Sequence, residues 1–326
     1  MIFNVQEYKW WKNNFPIVEI KKAKAILHEF KTVELVDYGL AINPYVGCQH
    51  RCLYCYATYE WAKDFYDKIY VKDNADRILK VELPLHGTST PIMIGTSTDS
   101  YQPVELKFKI TRRIVEVLQK YQVTYYIFTK STAVLRDLDL HARYKDKCFI
   151  IWSLTTIDEE IKRKIEPFAA SANKIFEAMK IMRKNGILCG INIDPIMPCL
   201  NDDKEMLSEL LLKAKEADCS FVSSGILRLR EDIWQRIKKF FEAEGKKDII
   251  RIYEKIYFEE PRKIGYYYFA KEEYCQEITD FIVEKCKKLG LHYGFPFLSS
   301  SEIKLNSQKS LLEYIDGQAC TCTYIH

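Results

Sequence analysis

The chain has 326 residues, 48% of them apolar and 13% aromatic, with 49 basic against 45 acidic side chains and 11 cysteines. That composition excludes a disordered or fibrous chain, and a formal charge of +4 gives little of the single-sign field that drives nonspecific binding to a duplex. No apolar stretch approaches the 18 or so residues that span a bilayer, the first twelve residues lack a signal-peptide pattern, and an odd cysteine count suits no disulfide framework, so a reducing, cytoplasmic setting is expected.

At roughly 150 residues per domain the length allows two domains, but an α/β barrel of about 250 residues as one unit fits equally well. Residues 1–37 read as an accessory strand or helix. From about residue 40 to residue 230, short β-branched or aromatic runs alternate with segments of helical period, the pattern of βα units around a parallel sheet. Strands are predicted over 40–43, 91–95, 124–129, 148–153, 187–193 and 220–224, each apolar on both faces, as strands between helices and a barrel interior should be. Helices are predicted over 110–118 and 135–142, from the N-cap Ser171 to the stop at Gly186, and from Asn201 to about Ala217. Beyond 230 the segments 231–244, 248–258 and 270–288 read as helices, so residues 231–326 are expected to form an extension packed across the barrel mouth.

The chemistry-bearing motif follows the first strand. Gly47-Cys48-Gln49-His50-Arg51-Cys52-Leu53-Tyr54-Cys55-Tyr56 carries a C-x3-C-x2-C spacing in one short loop. Three thiolates so spaced can reach three corners of an iron–sulfur cube and leave one iron open; the competing reading is a zinc knuckle completed by His50 or a distant residue. Here the sequence resembles the radical S-adenosylmethionine superfamily. The stretches Asn43-Pro44-Tyr45-Val46-Gly47, Thr98-Asp99-Ser100-Tyr101-Gln102-Pro103-Val104-Glu105, Thr129-Lys130-Ser131 with Leu135-Arg136-Asp137, Glu166-Pro167 and Asp194-Pro195-Ile196-Met197-Pro198 look like its spore photoproduct lyase-like group, over about residues 38–230.

The resemblance implies an α/β fold, a partial (β/α)6 TIM-like barrel with a helical C-terminal extension. It also implies a [4Fe-4S] cluster on Cys48, Cys52 and Cys55, S-adenosylmethionine bound at the open iron, and an electron donor such as flavodoxin or ferredoxin. Residue by residue, Thr98 would bond the methionyl amine or carboxylate and Lys130 would pair with the carboxylate. Ser153 would reach the ribose, and Tyr54 and Tyr56 would lie against the adenosyl part. All five sit at or beyond strand ends or in the cluster loop, where barrel active sites are built. Asp99 and Glu105 can instead hold the loop.

The spore enzyme carries at the second strand a cysteine that returns a hydrogen atom to the product; this chain has Ser97, whose O–H bond is too strong for that task unless Cys199 or a tyrosine substitutes. Substrate candidates are Asp194, Asn192, Arg228, Arg230 and Asp232, at or just beyond strand ends on one rim. Asp194 is a candidate catalytic group at a pre-proline position that favours extended backbone. Asp194 or Asp232 could pair with a guanine-like N–H edge, and Phe221 or Tyr266 to Tyr268 could stack on a ring. Cys148, Cys189 and Cys219 read as core residues, whereas Cys320 and Cys322 in the tail are candidates for an auxiliary metal. The expected function is radical lyase chemistry on a small modified nucleobase, with queuine as the named base; the alternative is a DNA photoproduct repair lyase.

Overall fold

The computed structural model describes residues 16–32, 36–59 and 65–296. In chain order it contains β1 (Ile17–Lys21), β2 (Leu27–Thr32), β3 (Val36–Ile42), β4 (Tyr45–Val46), β5 (Lys68–Lys72), α1 (Ala75–His86), β6 (Ile92–Ile94), α2 (Glu105–Phe108), α3 (Ile110–Lys120) and β7 (Tyr125–Thr129). There follow α4 (Leu138–Ala142), β8 (Cys148–Ser153), α5 (Glu159–Ile165), α6 (Ala172–Lys184), β9 (Leu188–Ile196), α7 (Lys204–Glu216) and β10 (Phe221–Ile226). The last elements are α8 (Glu231–Ala243), α9 (Lys247–Tyr257), β11 (Arg262–Ile264), β12 (Tyr267–Phe269), α10 (Glu272–Leu289) and β13 (His292–Tyr293). Among the described residues no helix is long and apolar enough to cross a membrane.

The main sheet runs β13-β10-β9-β8-β7-β6-β3-β2. Every pairing from β3 to β13 is parallel, and β2 lies antiparallel on β3 at the edge. The six predicted strands are β3 and β6 to β10, and the helices between them make the α/β, partial-barrel architecture. The sheet has two edge strands: β2, from the N-terminal segment read as an accessory strand or helix, and the two-residue β13, for which no strand is predicted.

Strand alternation explains why these runs are apolar on both faces. Residues such as Tyr125, Ile127, Ile150, Trp152, Ile191 and Ile193 point outward into the main core beneath the helices. Their neighbours point inward and stack in rows across the strands, as barrel interiors do. The deepest row pairs Met93, Tyr126, Phe149 and Leu188; the next pairs Phe128, Ile151, Gly190 and Phe221; above it Ser153, Asn192 and Ser223 stand side by side. The interior is thus an aromatic floor under a polar row, and Phe221, 1% exposed, belongs to the floor rather than to a stacking platform at the mouth.

Gly190 makes that floor possible, because a Cβ there would stand 2.1 Å from the Phe221 ring. Gly190→Ala is therefore expected to destabilise the fold by about 1–3 kcal/mol through overpacking. Chemical denaturation should show a lower midpoint that Phe221→Leu in the same chain partly restores.

Two helix predictions need correction. Asn201 does not open α7; Asp203 caps it, accepting from the Met206 N–H at 2.8 Å. The Asn201 amide instead ties three segments together, accepting from Met197 N–H and donating to Thr155 O and Pro195 O. The segment 135–142 breaks into a 3₁₀ turn over Ala133–Asp137 and the short α4, with Arg136 and Asp137 committed to a buried ion network with Arg112, Glu105 and Tyr101. Helix α6 follows its signals: Ser171 accepts from Lys174 N–H, and Gly186, at φ +78°, lets the chain turn back.

The C-terminal segments serve two places. Helix α10 packs on α7 and β10, sending Ile278, Ile282 and Cys286 into the main core. Helices α8 and α9 build a second core with Cys52, Tyr54, Met197 and Leu200, around Trp234, Ile237, Phe241, Tyr253 and Tyr257. Cys148, Cys189 and Cys219 are all buried in the main core. Cys320 and Cys322 lie outside the described residues.

Candidate active site

The three-cysteine loop leaves β4 at Gly47 and returns at β5. Gly47 sits at φ +85°, and a Cβ there would come within 2.2 Å of Lys68 O, so only glycine lets the loop lie against β5. Cys48 N–H bonds to Phe65 O, Leu53 N–H to Ile165 O at 2.8 Å, and Tyr66 donates to Cys52 O at 2.7 Å. Further loop groups, having no strand or helix partner, are met by one side chain from α8. Arg236 donates from Nε to Leu53 O at 3.1 Å, from Nη2 to Cys55 O at 2.7 Å and from Nη1 to Thr58 Oγ1 at 2.8 Å. Nothing in the sequence separated Arg236 from Lys238 or Lys239 on the same charged helix; only tertiary placement identifies it.

Cys48, Cys52 and Cys55 are free thiols. Burial, reinforced by Asp99 and Cys55, pushes Cys48 up to about 12. Burial likewise holds Cys52 well above the ordinary thiol value and raises Cys55, against an opposing pull from the Ala57 N–H and the Arg236 guanidinium. Such thiols give up their protons when metal takes them, so ligation and deprotonation are one event.

His50 is not available to complete a zinc knuckle: its Nδ1 lies 2.9 Å from Phe168 O, and its Nε2 lies 3.0 Å from Asp99 Oδ2. Among the described residues no three Cys, His, Asp or Glu side chains converge on one point that would hold a single ion. A donor set of three thiols on one braced loop fits three corners of a cube instead.

Beneath the loop lies a buried charge cluster centred on Glu166. Its Oε1 accepts from the Tyr54 hydroxyl, from Thr155 Oγ1 at 2.9 Å and from Lys130 Nζ at 3.0 Å, and its Oε2 accepts from Lys162 Nζ at 2.5 Å. Burial alone would raise this carboxyl, but the Lys130 and Lys162 ammoniums hold it well below the usual carboxylate range. Burial would lower Lys130, and Glu166 overrides it so that the ammonium persists. Lys130 also donates to Ser153 O at 3.3 Å. Tyr54, Lys130 and Ser153 are thus brought together around one carboxylate that the sequence showed only as half of a Glu-Pro motif.

The Thr98 to Glu105 stretch is mainly mortar. Thr98 donates to Gly47 O at 2.6 Å and accepts from Gln102. The Asp99 carboxylate accepts from Thr129, from the N–H groups of Tyr101 and Lys130, and faces His50. Although burial raises Asp99, His50 and these donors bring it below its ordinary value. Glu105 accepts from Tyr45, Thr111 N–H and Arg136. These contacts fasten the cluster loop to the ends of β6 and β7. Ser97 is buried, its N–H bonded to Asn43, and Tyr56 reaches across to donate to Thr96 O.

At the polar end of the interior, Ser223 donates to Asn192 Oδ1 at 2.8 Å in the row that Ser153 shares. Asp194, two residues further along β9, lies against Gly225, where a Cβ would come within 2.9 Å of the carboxylate carbon, and its charge helps keep the buried Tyr54 hydroxyl protonated. The other rim candidates fall elsewhere. Arg230 is buried and forms a two-pronged pair with Asp232 at 2.8 and 3.0 Å while bonding Tyr56 O and the Tyr267 hydroxyl. Asp232 also accepts from Thr58. The pair latches the end of the cluster loop to the β11–β12 hairpin, beside a cleft of about 780 Å3 that Tyr266, Tyr268 and Lys263 also line. Arg228 is exposed, and Cys199, also exposed, stands beside Asp202 and Tyr253 on the α9 side.

Comparison with known proteins agrees with this geometry. An uncharacterised protein of Methanocaldococcus jannaschii is 32% identical over 197 residues, 59% of this chain and 72% of that protein. One of Mycobacterium bovis is 29% identical over 218 residues, 64% of each, so this chain spans under two thirds of that protein. Among solved structures, a mutant of spore photoproduct lyase superposes with a TM-score of 0.66 at 17% identity, over 85% of this chain and 82% of that one. A second mutant, with bound AdoMet and dinucleoside spore photoproduct, gives 0.64 at 16% identity over the same shares. The fold is therefore shared with that enzyme, and since the radical SAM superfamily profile matches residues 42–211, just over half of the chain, this protein belongs to the radical SAM superfamily.

Proposed function

We propose that this protein, a member of a family whose enzymes use a [4Fe-4S] cluster and S-adenosylmethionine, is a radical lyase acting on a small modified nucleobase, with queuine the first substrate to test. The supporting observation is the interior itself: an aromatic floor closes it, and its open end offers Ser153, Asn192, Ser223 and Asp194, a short set of donors and acceptors suited to the edge of a planar heterocycle.

Cys48, Cys52 and Cys55 would hold the cluster, which with S-adenosylmethionine would supply one-electron radical chemistry, and the protein's part would be to orient and exclude. Lys130 spends two of its three N–H donors on Glu166 and Ser153 O, leaving one for a ligand carboxylate. Ser153 and Tyr54 both lie beside that ammonium and would contact the ribose and adenine, with Tyr56 on the β6 side; Thr98, its hydroxyl committed to Gly47 O, would serve by holding the cluster loop. Asp194 holds the substrate's N–H edge.

A second reading, repair of a DNA photoproduct, is favoured by the likeness of fold to spore photoproduct lyase. Against it stands Ser97, buried where the resemblance calls for a hydrogen-donating cysteine. Anaerobically reconstituted protein, carrying about four irons per chain, is incubated with S-adenosylmethionine and dithionite. Queuine should accelerate 5′-deoxyadenosine release and yield 7-aminomethyl-7-deazaguanine. No response to queuine, together with turnover of ultraviolet-damaged DNA, would transfer the assignment to the second reading.

A further inference from the structure

The segment after α10 enters the barrel from the end opposite the cluster loop. β13 extends the sheet beyond β10 in parallel register, with His292 beside Phe221 and Tyr293 beside Val222. Tyr293 faces outward like Val222, packing on the main core and sharing a hydrogen bond with Ser224 Oγ at 2.9 Å. Gly294, at φ +106°, then bends the chain while its N–H bonds Val222 O at 2.8 Å. The bend carries the half-buried Phe295 inward. Its ring meets Phe128 of β7 and Phe221 of β10 edge to face, with ring centres 5.9 and 6.1 Å away. Tyr126 of β7 donates to Pro296 O at 2.6 Å and fixes the segment there. β7 and β10 stand three places apart in the sheet, so a ring that meets both spans the interior. Tyr126 and Phe221 lie at the starts of their strands, so this part of the C-terminal extension, expected at the mouth, closes the foot of the barrel.

We infer that Phe295 is a specificity-determining residue, which sets the depth of the substrate chamber and limits the ligand to one planar base. The inference rests on the reading of the interior as the place where substrate binds. Strand alternation puts Phe128 and Phe221 two residues, about 7 Å, below Lys130 and Ser223. The Phe295 ring thus lies one pleat beneath the polar row of Ser153, Asn192 and Ser223. A base whose polar edge meets that row rests its ring on this floor. A longer ligand has to displace packed aromatic rings at the closed end, whereas at the open end an added group meets only solvent. Edge-to-face contacts on two sides and the Tyr126 bond hold the ring at that height. Phe295 comes from outside the βα units and touches neither Glu166 nor Lys130, so the floor can be altered without altering the cofactor side.

The test uses the reconstituted full chain with S-adenosylmethionine, and equilibrium dialysis against 7-aminomethyl-7-deazaguanine, queuine and the dinucleoside spore photoproduct. Phe295→Ala should weaken the smallest base, which loses the surface it rests on, and tighten the photoproduct. The ratio of those two Kd values should shift about tenfold, the scale on which a pocket discriminates by size. Phe295→Leu, which keeps an apolar side chain there, should shift the ratio in the same direction by less. Tyr293→Phe, on the outer face, should leave the ratio as it is, and the Kd for S-adenosylmethionine should stay at the wild-type value in all three variants. A wild-type chain that binds the photoproduct and neither base defeats the base reading alone; the role of Phe295 then stands if Phe295→Ala tightens the photoproduct and falls if it does not. The inference is overturned if neither Phe295 variant shifts the ratio, if Tyr293→Phe shifts it equally, if S-adenosylmethionine weakens in parallel, or if the wild type binds none of the three ligands.

Discussion

Glu166→Gln is expected to lower folding stability by about 3–5 kcal/mol at neutral pH, the size of effect seen when one partner of a buried ion pair is removed. The side chain keeps its shape and part of its hydrogen bonding, so the loss isolates the charge. Lys162 is 1% exposed and Lys130 only 14%, and among the described residues neither has another carboxylate within ion-pair distance. The sign of the pH dependence follows from the depressed carboxyl. Its stabilisation is present above the unfolded value, about 4.3, and is lost as pH falls through the lower folded value.

The gap between wild type and variant should therefore narrow in acid. The variant should also regain stability toward high pH, where the buried Lys130, deprived of its carboxylate, sheds its proton. Urea denaturation from pH 3 to pH 10 checks both limbs, and a gap independent of pH would sink the electrostatic account. Because Lys130 and Tyr54 lose their common anchor, S-adenosylmethionine binding should weaken as well, and Glu166→Asp should restore the pH dependence in part.

How much of this was written in the sequence depends on the range of the interaction. Strands β8 and β7 were legible because both faces of each are apolar and local turn residues bound them. The cysteine loop was legible because its three cysteines lie within eight residues. Asn201 misled because Asn and Asp are both good N-caps, and only the packing of the 195–201 loop on Thr155 decides that Asp203 does the capping. The pairing of Gly190 with Phe221 is set by strand register, which no single strand encodes. The roles of Glu166, Arg230 and Arg236 were opaque for the same reason: Glu166 showed only as half of a motif, Arg230 as a substrate candidate and Arg236 not at all, because each depends on partners 36 to 183 positions away.

Arg236 gives the second large effect. Arg236→Ala removes the donors that meet Leu53 O, Cys55 O and Thr58 Oγ1, and with them a cation that favours the ionised Cys55. Residues supporting metal ligands typically contribute about 10–100-fold in affinity, so the variant should lose iron to a chelator faster by a factor in that range. The charge-transfer absorbance of the reconstituted protein reports this directly. The fold itself should persist, since Ile233, Trp234, Ile237 and Phe241 still bury the opposite face of α8. Circular dichroism of the metal-free variant should match that of the metal-free wild type. Arg236→Lys should not rescue iron retention, because a single ammonium cannot span three acceptors that a planar fork reaches together. If the lysine variant held iron as wild type does, charge alone would explain Arg236. If the alanine variant did, the loop would be held by its own packing against β5 and Ile165.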